Sequence, residues 1–440
     1  MAYQRKYGEE QPYHALGPFK LRIPFIHYKV ELADYLQGLV MCAVCLSAIP
    51  LLQSCLGMPA EVAIAVVVLN GILYCTHVLL GDPVVPGWVT PAIPLLMSYI
   101  MMYNGKAEMV KALIAFELML GLLAIVLGIT KLGKKLVAII PSSIQSGLII
   151  GAGISAIIKV FDVTPVLDAN GVQTGMVGYF WKYPFSIVIC IGLAMFLLFS
   201  NRFRYLAKNN KFLGFISNLG ILPVMILAIF VGPIFCETVL PHFGFGSNVV
   251  ELSKGVDLHT LGGFITLPDF KQLFTEWTFV GVGFPDISYF IKGIPMVIAA
   301  YIILFGDMVQ ADALLKDAAK KRPDEKIDYN PNRSHLIFGF RNTFMSIFGP
   351  DITMCGPLWA AMQVVVTDRY KKGRKSMDSI HGGTGSVRLG TLTGYLLTPI
   401  VCFVYPILGI ALTSTLLIQG YVSVRVGVQK ARTVNDIGIA

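Results

Sequence analysis

Two proline-broken stretches in an otherwise apolar chain constrain the fold more than any other feature. The first, GDPVVPGWVTPAIPLLMSYIM, runs from Gly81 to Met101, where a membrane helix is due. Pro83, Pro86, Pro91 and Pro94 each lack a backbone N–H and Gly87 is a poor helix former, so the stretch cannot be one unbroken helix. Its pattern predicts extended backbone to about Thr90 and a half-helix from Pro91, with Thr90 as N-cap and proline at the first helical position, where it is tolerated. The second, FGPDITMCGPLWAAMQVVV from Phe348 to Val366, repeats that order: Pro350, a short extended run, then a half-helix opened by Gly356 and Pro357. Broken segments in corresponding positions of two halves point to a transport site. Two kinked ordinary helices are the competing reading, because prolines are common in membrane helices.

Composition supplies the setting. Of 440 residues, 55% are hydrophobic and 14% charged, against about 25% charged in a soluble domain. The chain therefore reads as an integral, multi-pass protein of the plasma membrane, with the lipid bilayer as a partner. Its net charge of +9 belongs to topology and gives no ground for a nucleic-acid partner. The eight cysteines lie in or beside apolar runs, none at metal-ligand spacing with histidine, and read as small packing residues. No nucleophile has a base at helical spacing, so no catalytic residue, metal site or cofactor is expected beyond a coupling Na⁺ or H⁺. The N-terminal MAYQRKYGEEQPYHALG is too polar and mixed in charge for a cleavable signal peptide.

Apolar runs near the bilayer-crossing length of about 20 residues divide the chain. Residues 1–32 read as a cytoplasmic tail, with FKLRIPFIHYKVEL as an interfacial helix on the membrane surface. Residues 33–238 hold seven segments, at about 33–57, 60–80, the broken 82–103, 108–130, 136–160, 184–200 and 214–238. Residues 239–291 form an extracellular connection with one short amphipathic helix, DFKQLFTEW. Residues 292–440 hold five more segments, at about 293–315, 334–348, the broken 350–367, 388–409 and 411–428. With a cytoplasmic N-terminus and every segment crossing, 27 Lys and Arg fall inside and 7 outside, Arg341 alone lying within a segment. That is the positive-inside asymmetry of a correct topology, and omitting either broken stretch would spoil it. Because seven is odd, the last five segments start from the opposite side, which makes the repeat inverted.

His335 to Lys372, HLIFGFRNTFMSIFGPDITMCGPLWAAMQVVVTDRYKK, is the most telling run. Its Asn342, the Phe348-Gly349 pair and Pro350, with Gly306-Asp307 before it and Thr384-Gly385 to Gly390 after it, resemble the superfamily of nucleobase permeases, sulfate permeases and bicarbonate transporters. The resemblance implies an all-α membrane protein with a 7+7 inverted repeat, segments 3 and 10 discontinuous, assembled as a homodimer. It also implies fourteen segments where twelve are legible, so the second repeat reads as truncated, with segments 13 and 14 missing, unless this is a tight twelve-helix version. The nucleobase permeases place a Glu three residues before the eighth-segment glycine and another near the tenth half-helix. Ile303, and Cys355 or Gly356, stand there in this chain, which weakens a uracil or xanthine reading.

Facing half-helix N-termini would offer unpaired N–H groups and partial positive charge to an anion. The substrate-binding candidates are therefore Thr90, Pro91 and Ala92 on one side and Thr353, Cys355, Gly356 and Trp359 on the other. Arg341 either binds an anionic substrate or pairs with Asp307 or Asp351. Asp307 is the candidate ion-coupling carboxylate, unless it sits at a cytoplasmic helix end beside Gln310 and Asp312; Asp351 either binds a cation or caps the half-helix. Plainer roles are expected elsewhere: His77 and Asp82 interfacial, Asp34 solvated, Gln37 in a helix-packing hydrogen bond, Trp88 and Trp359 as packing. Gly147 and Gly151 read as a helix-packing pair, and GGTGSVRLG before Thr391 as a cytoplasmic turn. The expected function is cation-coupled secondary active transport of a small-molecule solute, an anion or other polar species, by alternating access. The alternatives are a nucleobase permease and a passive anion channel on the same fold.

Overall fold

The computed structural model describes residues 5–133, 135, 141–161, 164–167, 173–244, 246–253 and 256–430. The tail from 431 to 440 and the start of the fifth segment at 136–140 lie outside the described residues. Helices dominate. The first half holds α1 (Leu32–Leu46), α2 (Ala48–Leu56), α3 (Ala60–Leu79), the short α4 (Ile93–Ile100), α5 (Lys106–Ile129) and α6 (Ser142–Phe161). It continues through α7 (Pro184–Phe199), α8 (Asn201–Asn209), α9 (Lys211–Asn218) and α10 (Leu222–Ile234). After the short α11 (Phe270–Glu276), the second half holds α12 (Ile287–Lys321), α13 (Pro331–Phe348), α14 (Ala360–Tyr370), α15 (Ile380–Leu396), α16 (Thr398–Val404) and α17 (Leu408–Lys430).

The chain is not all-α. Four small sheets occur among the described residues: the hairpin β1 (His14–Leu16) with β2 (Phe19–Leu21), β3 (Gly87–Trp88) with a late partner described below, β4 (Thr164–Leu167) with β5 (Gln173–Val177), and β6 (Val249–Ser253), β7 (Val256–Leu261) and β8 (Ile265–Thr266). The last of these occupies the connection at 239–291, beside the expected amphipathic helix, which is α11 with Asp269 as its N-cap accepting from Gln272 N at 2.8 Å.

Among the described residues, five helical stretches are long and apolar enough to cross a membrane, or seven if the bent pairs α7–α8 and α9–α10 each count as one. Twelve were expected. The difference lies mainly in α4, which is short, and in α13, α14 and α15, which are shorter or more polar than a lipid-facing span. Of these, α13 buries Arg333 and Arg341, α14 buries Gln363 and Arg369, and α15 buries His381 and Arg388, so they need no apolar outer face. By contrast α12 exposes Ile287, Ile291, Ile294, Ile298 and Ile302 along one stripe, the pattern of a helix against hydrocarbon.

Close packing explains the glycine-rich run. GGTGSVRLG is no turn; it belongs to α15 and lies against α1. A Cβ on Gly38 would stand 2.1 Å from the Val387 carbonyl oxygen, and one on Gly390 would stand 2.2 Å from the Tyr35 oxygen, so two backbones meet there with no room for side chains. The α6–α17 contact uses another pair than the one expected. Gly151 faces open space, while Gly153 and Gly420 approach each other's carbonyls, with 2.8 and 2.9 Å from the built Cβ positions.

Residues 5–30 also differ from expectation. In place of an interfacial helix they form a folded arm carrying the β1–β2 hairpin. Arg22 N donates to the Leu79 carbonyl at 2.8 Å and Lys20 N to Leu80 at 3.1 Å, tying the arm to the end of α3. Arg5 donates to Asp324 at 2.9 Å, and Asp324 also receives a two-pronged bond from Arg322 at 2.6 and 2.9 Å. The cysteines are all free, and only Cys236 is exposed.

Two outcomes follow. Gly38→Val should cost at least about 1–3 kcal/mol through overpacking, read as a lower thermal midpoint of the purified protein, while Gly192→Ala, whose Cβ would meet nothing within 4 Å, should leave it unchanged. The hydrogen bonds from Arg322, with the added charge of Arg5, hold the Asp324 carboxyl below its ordinary range despite partial burial. A depressed carboxylate stabilises above its unfolded value of about 4 and loses that contribution as pH falls through the folded value. The Gly8 amide, which donates to the Asp324 carbonyl at 3.0 Å, should keep its exchange protection near pH 6 and lose it below about pH 4, and Asp324→Asn should lower that protection at neutral pH.

Candidate functional site

The two broken stretches meet. β3 pairs antiparallel with β9 (Cys355–Gly356), Gly87 opposite Gly356 and Trp88 opposite Cys355. Around that pair, Trp359 N donates to the Val85 carbonyl at 2.6 Å and Val89 N to Thr353 at 3.3 Å. Gln363 Oε1 accepts from Val85 N at 2.7 Å. Backbone groups freed by the prolines are thus satisfied across the break, as a water-poor interior demands. A 3₁₀ turn at Thr90–Ala92 leads into α4, and Trp359 leads into α14.

This geometry corrects the expected anion site. Thr90 caps nothing with its side chain. Ala92 N donates to Val89 O at 2.9 Å, Cys355 N to Asn342 Oδ1 at 2.8 Å, and Trp359 N is engaged as above. Several backbone donors expected to hold a substrate already have protein partners. The side chain of Pro91 lies outside the described residues.

Beside the paired breaks is a small cavity, with about 20 Å³ open to the centre of a water-sized sphere. Gly87, Trp88 and Thr90 line it from the first break, and Leu358 and Trp359 from the second. Val44 and Cys45 of α1 close one side; Leu412, Thr415, Leu416 and Gln419 of α17 close another. Its one charged lining residue is Arg388 of α15, which is 0% exposed. Its Nε and Nη2 have no hydrogen-bond partner among the described residues, and Nη1 reaches only the Cys45 sulfur at 3.8 Å. Arg388 lies over the rings of Tyr74 at 4.1 Å and Trp359 at 4.9 Å, contacts of about 0.5–2 kcal/mol each that stabilise the cation without neutralising it. The Thr415 hydroxyl is buried and without a partner as well.

Arg341 also lies over the Tyr74 ring, at 4.0 Å. It forms no ion pair with Asp307 or Asp351. Its Nη2 donates to Asn70 Oδ1 at 3.2 Å, and Asn70 Nδ2 donates to Asp351 Oδ2 at 2.6 Å, so an amide bridges the two charges. Asp351 does not cap the half-helix, whose N-cap is Trp359; it closes a local turn, accepting from Thr353 N at 2.9 Å and from the Thr353 hydroxyl. Its own N–H donates to Glu117 Oε2 of α5 at 3.1 Å. Cys355 points to Asn70, with Sγ 3.1 Å from Oδ1. Thr353, Cys355 and Asp351 therefore form a buried network next to the cavity and do not line it. Asp307 is 1% exposed on α12, which packs against the Thr90–Ala92 turn and α14; neither carboxylate oxygen has a partner among the described residues.

Three plainer expectations are also corrected. Asp34 is fully buried and accepts from Arg369, which also bonds Glu31 at 3.1 Å. His77 and Asp82 are buried and lie 3.1 Å apart, with Ser334 donating to Asp82 at 2.5 Å. Gln37 is buried with no side-chain partner among the described residues.

No protein-family model matches the chain, and no curated protein sequence matches it. Solved structures similar to it include the transmembrane domain of a cyanobacterium bicarbonate transporter, BicA, at 16% identity over 94% of each chain, with a TM-score of 0.44. The murine Solute Carrier 26 family member A9 anion transporter in the inward-facing state is 13% identical over 90% of this chain and 61% of its own, with a TM-score of 0.45. A further structure of SLC26A9 gives 15%, 90%, 58% and 0.44 in the same order. These neighbours are members of the SulP/SLC26 anion transporter superfamily.

The amide bridge can be tested directly. Asn70→Ala should lower stability by about 1–3 kcal/mol or more, because it leaves buried partners on both sides unsatisfied. In thermal unfolding of the purified protein, Asn70→Ala combined with Asp351→Asn should lose less than the sum of the single variants.

Proposed function

We propose that this protein is a secondary transporter of a small anion, and that the anion binds in the cavity beside the paired breaks. The observation that carries the reading is Arg388: a fully buried guanidinium with two unpartnered nitrogens, facing a cavity that no carboxylate lines. A buried charge without a counter-ion is costly, and a mobile anion would supply the missing partner. Thr415, Gln419 and Thr90 would add hydrogen bonds at the rim. The cavity holds about one water, so a polyatomic anion would enter only when α17 shifts against the breaks, α1 and α15. That movement of one group of helices against another is what alternating access requires.

In this reading residues 33–238 and 292–440 are inverted repeats with segments 3 and 10 discontinuous, and α17 belongs to the gate. Asp307 would take the coupling H⁺ or Na⁺, because a buried carboxyl with both oxygens free is poised to bind a cation. A flat anion of the nucleobase type is the second reading. It is favoured by Trp88 and Trp359, which both line the cavity, and opposed by the lack of a lining carboxylate for its N–H edge.

Uptake into proteoliposomes tests the reading, with bicarbonate, sulfate, small carboxylates and xanthine as the panel. Arg388→Gln should reduce saturable anion uptake at least tenfold, equivalent to about 1.4 kcal/mol, and Arg388→Lys should restore part of it. Asp307→Asn should leave anion exchange but abolish its response to a pH or Na⁺ gradient. Undiminished saturable uptake by Arg388→Gln would sink the site assignment, and gradient-independent flux in the wild-type protein would make it a channel.

A further inference from the structure

A second, larger hollow lies at the end of the protein where the basic loops converge. It offers about 1010 Å³ on the same measure and is bounded by α8 and α9 on one side and the C-terminal ends of α12, α14 and α17 on the other. The lining splits into two chemistries. Leu198, Phe199 and Phe215 form an apolar wall continuous with α7. Lys208, Lys211, Lys321, Lys375 and Arg425 form a cationic rim, and none of these five makes an ion pair among the described residues. The two carboxylates of the cleft are already committed, Asp368 to Arg204 at 3.4 Å and Asp317 to Lys371 at 2.6 Å. Lys372 is exposed at the edge of the cleft, beside Arg369 and Arg204. Its Nζ bonds the Ser217 carbonyl at 3.1 Å and Asn218 at 3.2 Å, so the rim is pinned to α9.

The position of α8 and α9 decides the kind of ligand. The chain bends by 63° between α7 and α8 and by 86° between α9 and α10, so the two short helices turn away from the spans they join. Tyr205, Phe212 and Phe215 are exposed on them, at 68%, 68% and 60%. Exposed aromatics interleaved with lysines on short helices mark elements lying in the headgroup layer. A cationic rim over an apolar wall at that depth matches an amphiphile that is anionic at one end only.

We propose that this cleft binds the phosphate headgroup of an anionic phospholipid, with an acyl chain against Leu198, Phe199 and Phe215. The bound lipid bridges α8–α9 to the ends of α12, α14 and α17, adding to the Arg204–Asp368 pair and the Lys372 hydrogen bonds and offsetting the repulsion among the five unpaired cations of the rim. Phosphate is the recognised group, and Lys and Arg near an anionic leaflet recognise it by charge. The proposal needs a membrane setting and is independent of which solute the cavity at Arg388 takes.

The test uses the full chain in neutral detergent, with thermal unfolding and native mass spectrometry as readouts. Phosphatidylglycerol, phosphatidylcholine and inorganic phosphate are the probes. Phosphatidylglycerol is expected to raise the midpoint by several degrees over phosphatidylcholine and to remain bound in the spectrometer. The triple variant Lys208→Gln/Lys211→Gln/Lys375→Gln should lose at least half of that shift, while Arg388→Gln keeps it. Equal shifts from the two lipids, or an undiminished shift in the triple variant, would overturn the proposal. A full shift from inorganic phosphate alone would overturn it too and make the cleft a site for small anions.

Discussion

Everything near the candidate site depends on one constraint: backbone polar groups cannot stay unpaired where water is scarce. Prolines at 83, 86, 91 and 94, and at 350 and 357, prevent either stretch from forming a complete helix. The two incomplete segments satisfy each other through the pairing of Gly87–Trp88 with Cys355–Gly356 and the bonds at Val85, Val89 and Trp359. Gly87 has to be glycine for this, since a Cβ there would lie 2.7 Å from that of Trp359. The cavity exists because two helices stop short, and the pairing is what makes stopping short affordable.

Charge is arranged around that pairing with an imbalance. Arg341 is offset through Asn70 by Asp351, and the Asp351 turn is in turn held by Glu117. Arg388, over the same Tyr74 ring, has no such compensation among the described residues. Of two arginines against one aromatic ring, one is answered by an amide and a carboxylate and the other is open to a cavity. A buried carboxyl with no partner among the described residues, Asp307, stands on α12.

The sequence made the broken stretches legible because proline acts locally: its effect on a helix needs no knowledge of the neighbours. Long apolar runs such as α5 and α12 were legible for the same reason. The donors of the site were not. Whether Trp359 N faces a ligand or the Val85 carbonyl depends on a segment about 270 residues away, and no local pattern carries that. Arg388 was hidden differently. It follows a basic loop and a glycine-rich run, so it read as the end of a cytoplasmic turn, yet Gly382 and Gly385 pack that run against Lys29 and Tyr28, and Gly390 and Gly394 let α15 press against α1. Glycine at 382, 383, 385, 390 and 394 on one helix was the available signal. Asp34 and Asp82 were misjudged because their partners, Arg369 and Ser334, come from the far half of the chain.

The cross-chain pairing also sets a timetable. Gly87 leaves the ribosome roughly 270 residues before its partner Gly356, and at about 5–20 residues per second the interval is tens of seconds or less. Through that interval the first half carries an extended segment whose backbone has no mate. The folded arm at residues 5–30 has its bonds to Leu79 and Leu80 early, but its anchors at Asp324 and Asp328 are also made late. The first half therefore stays incomplete until the second half supplies the mate for its extended segment and the remaining anchors of its N-terminal arm.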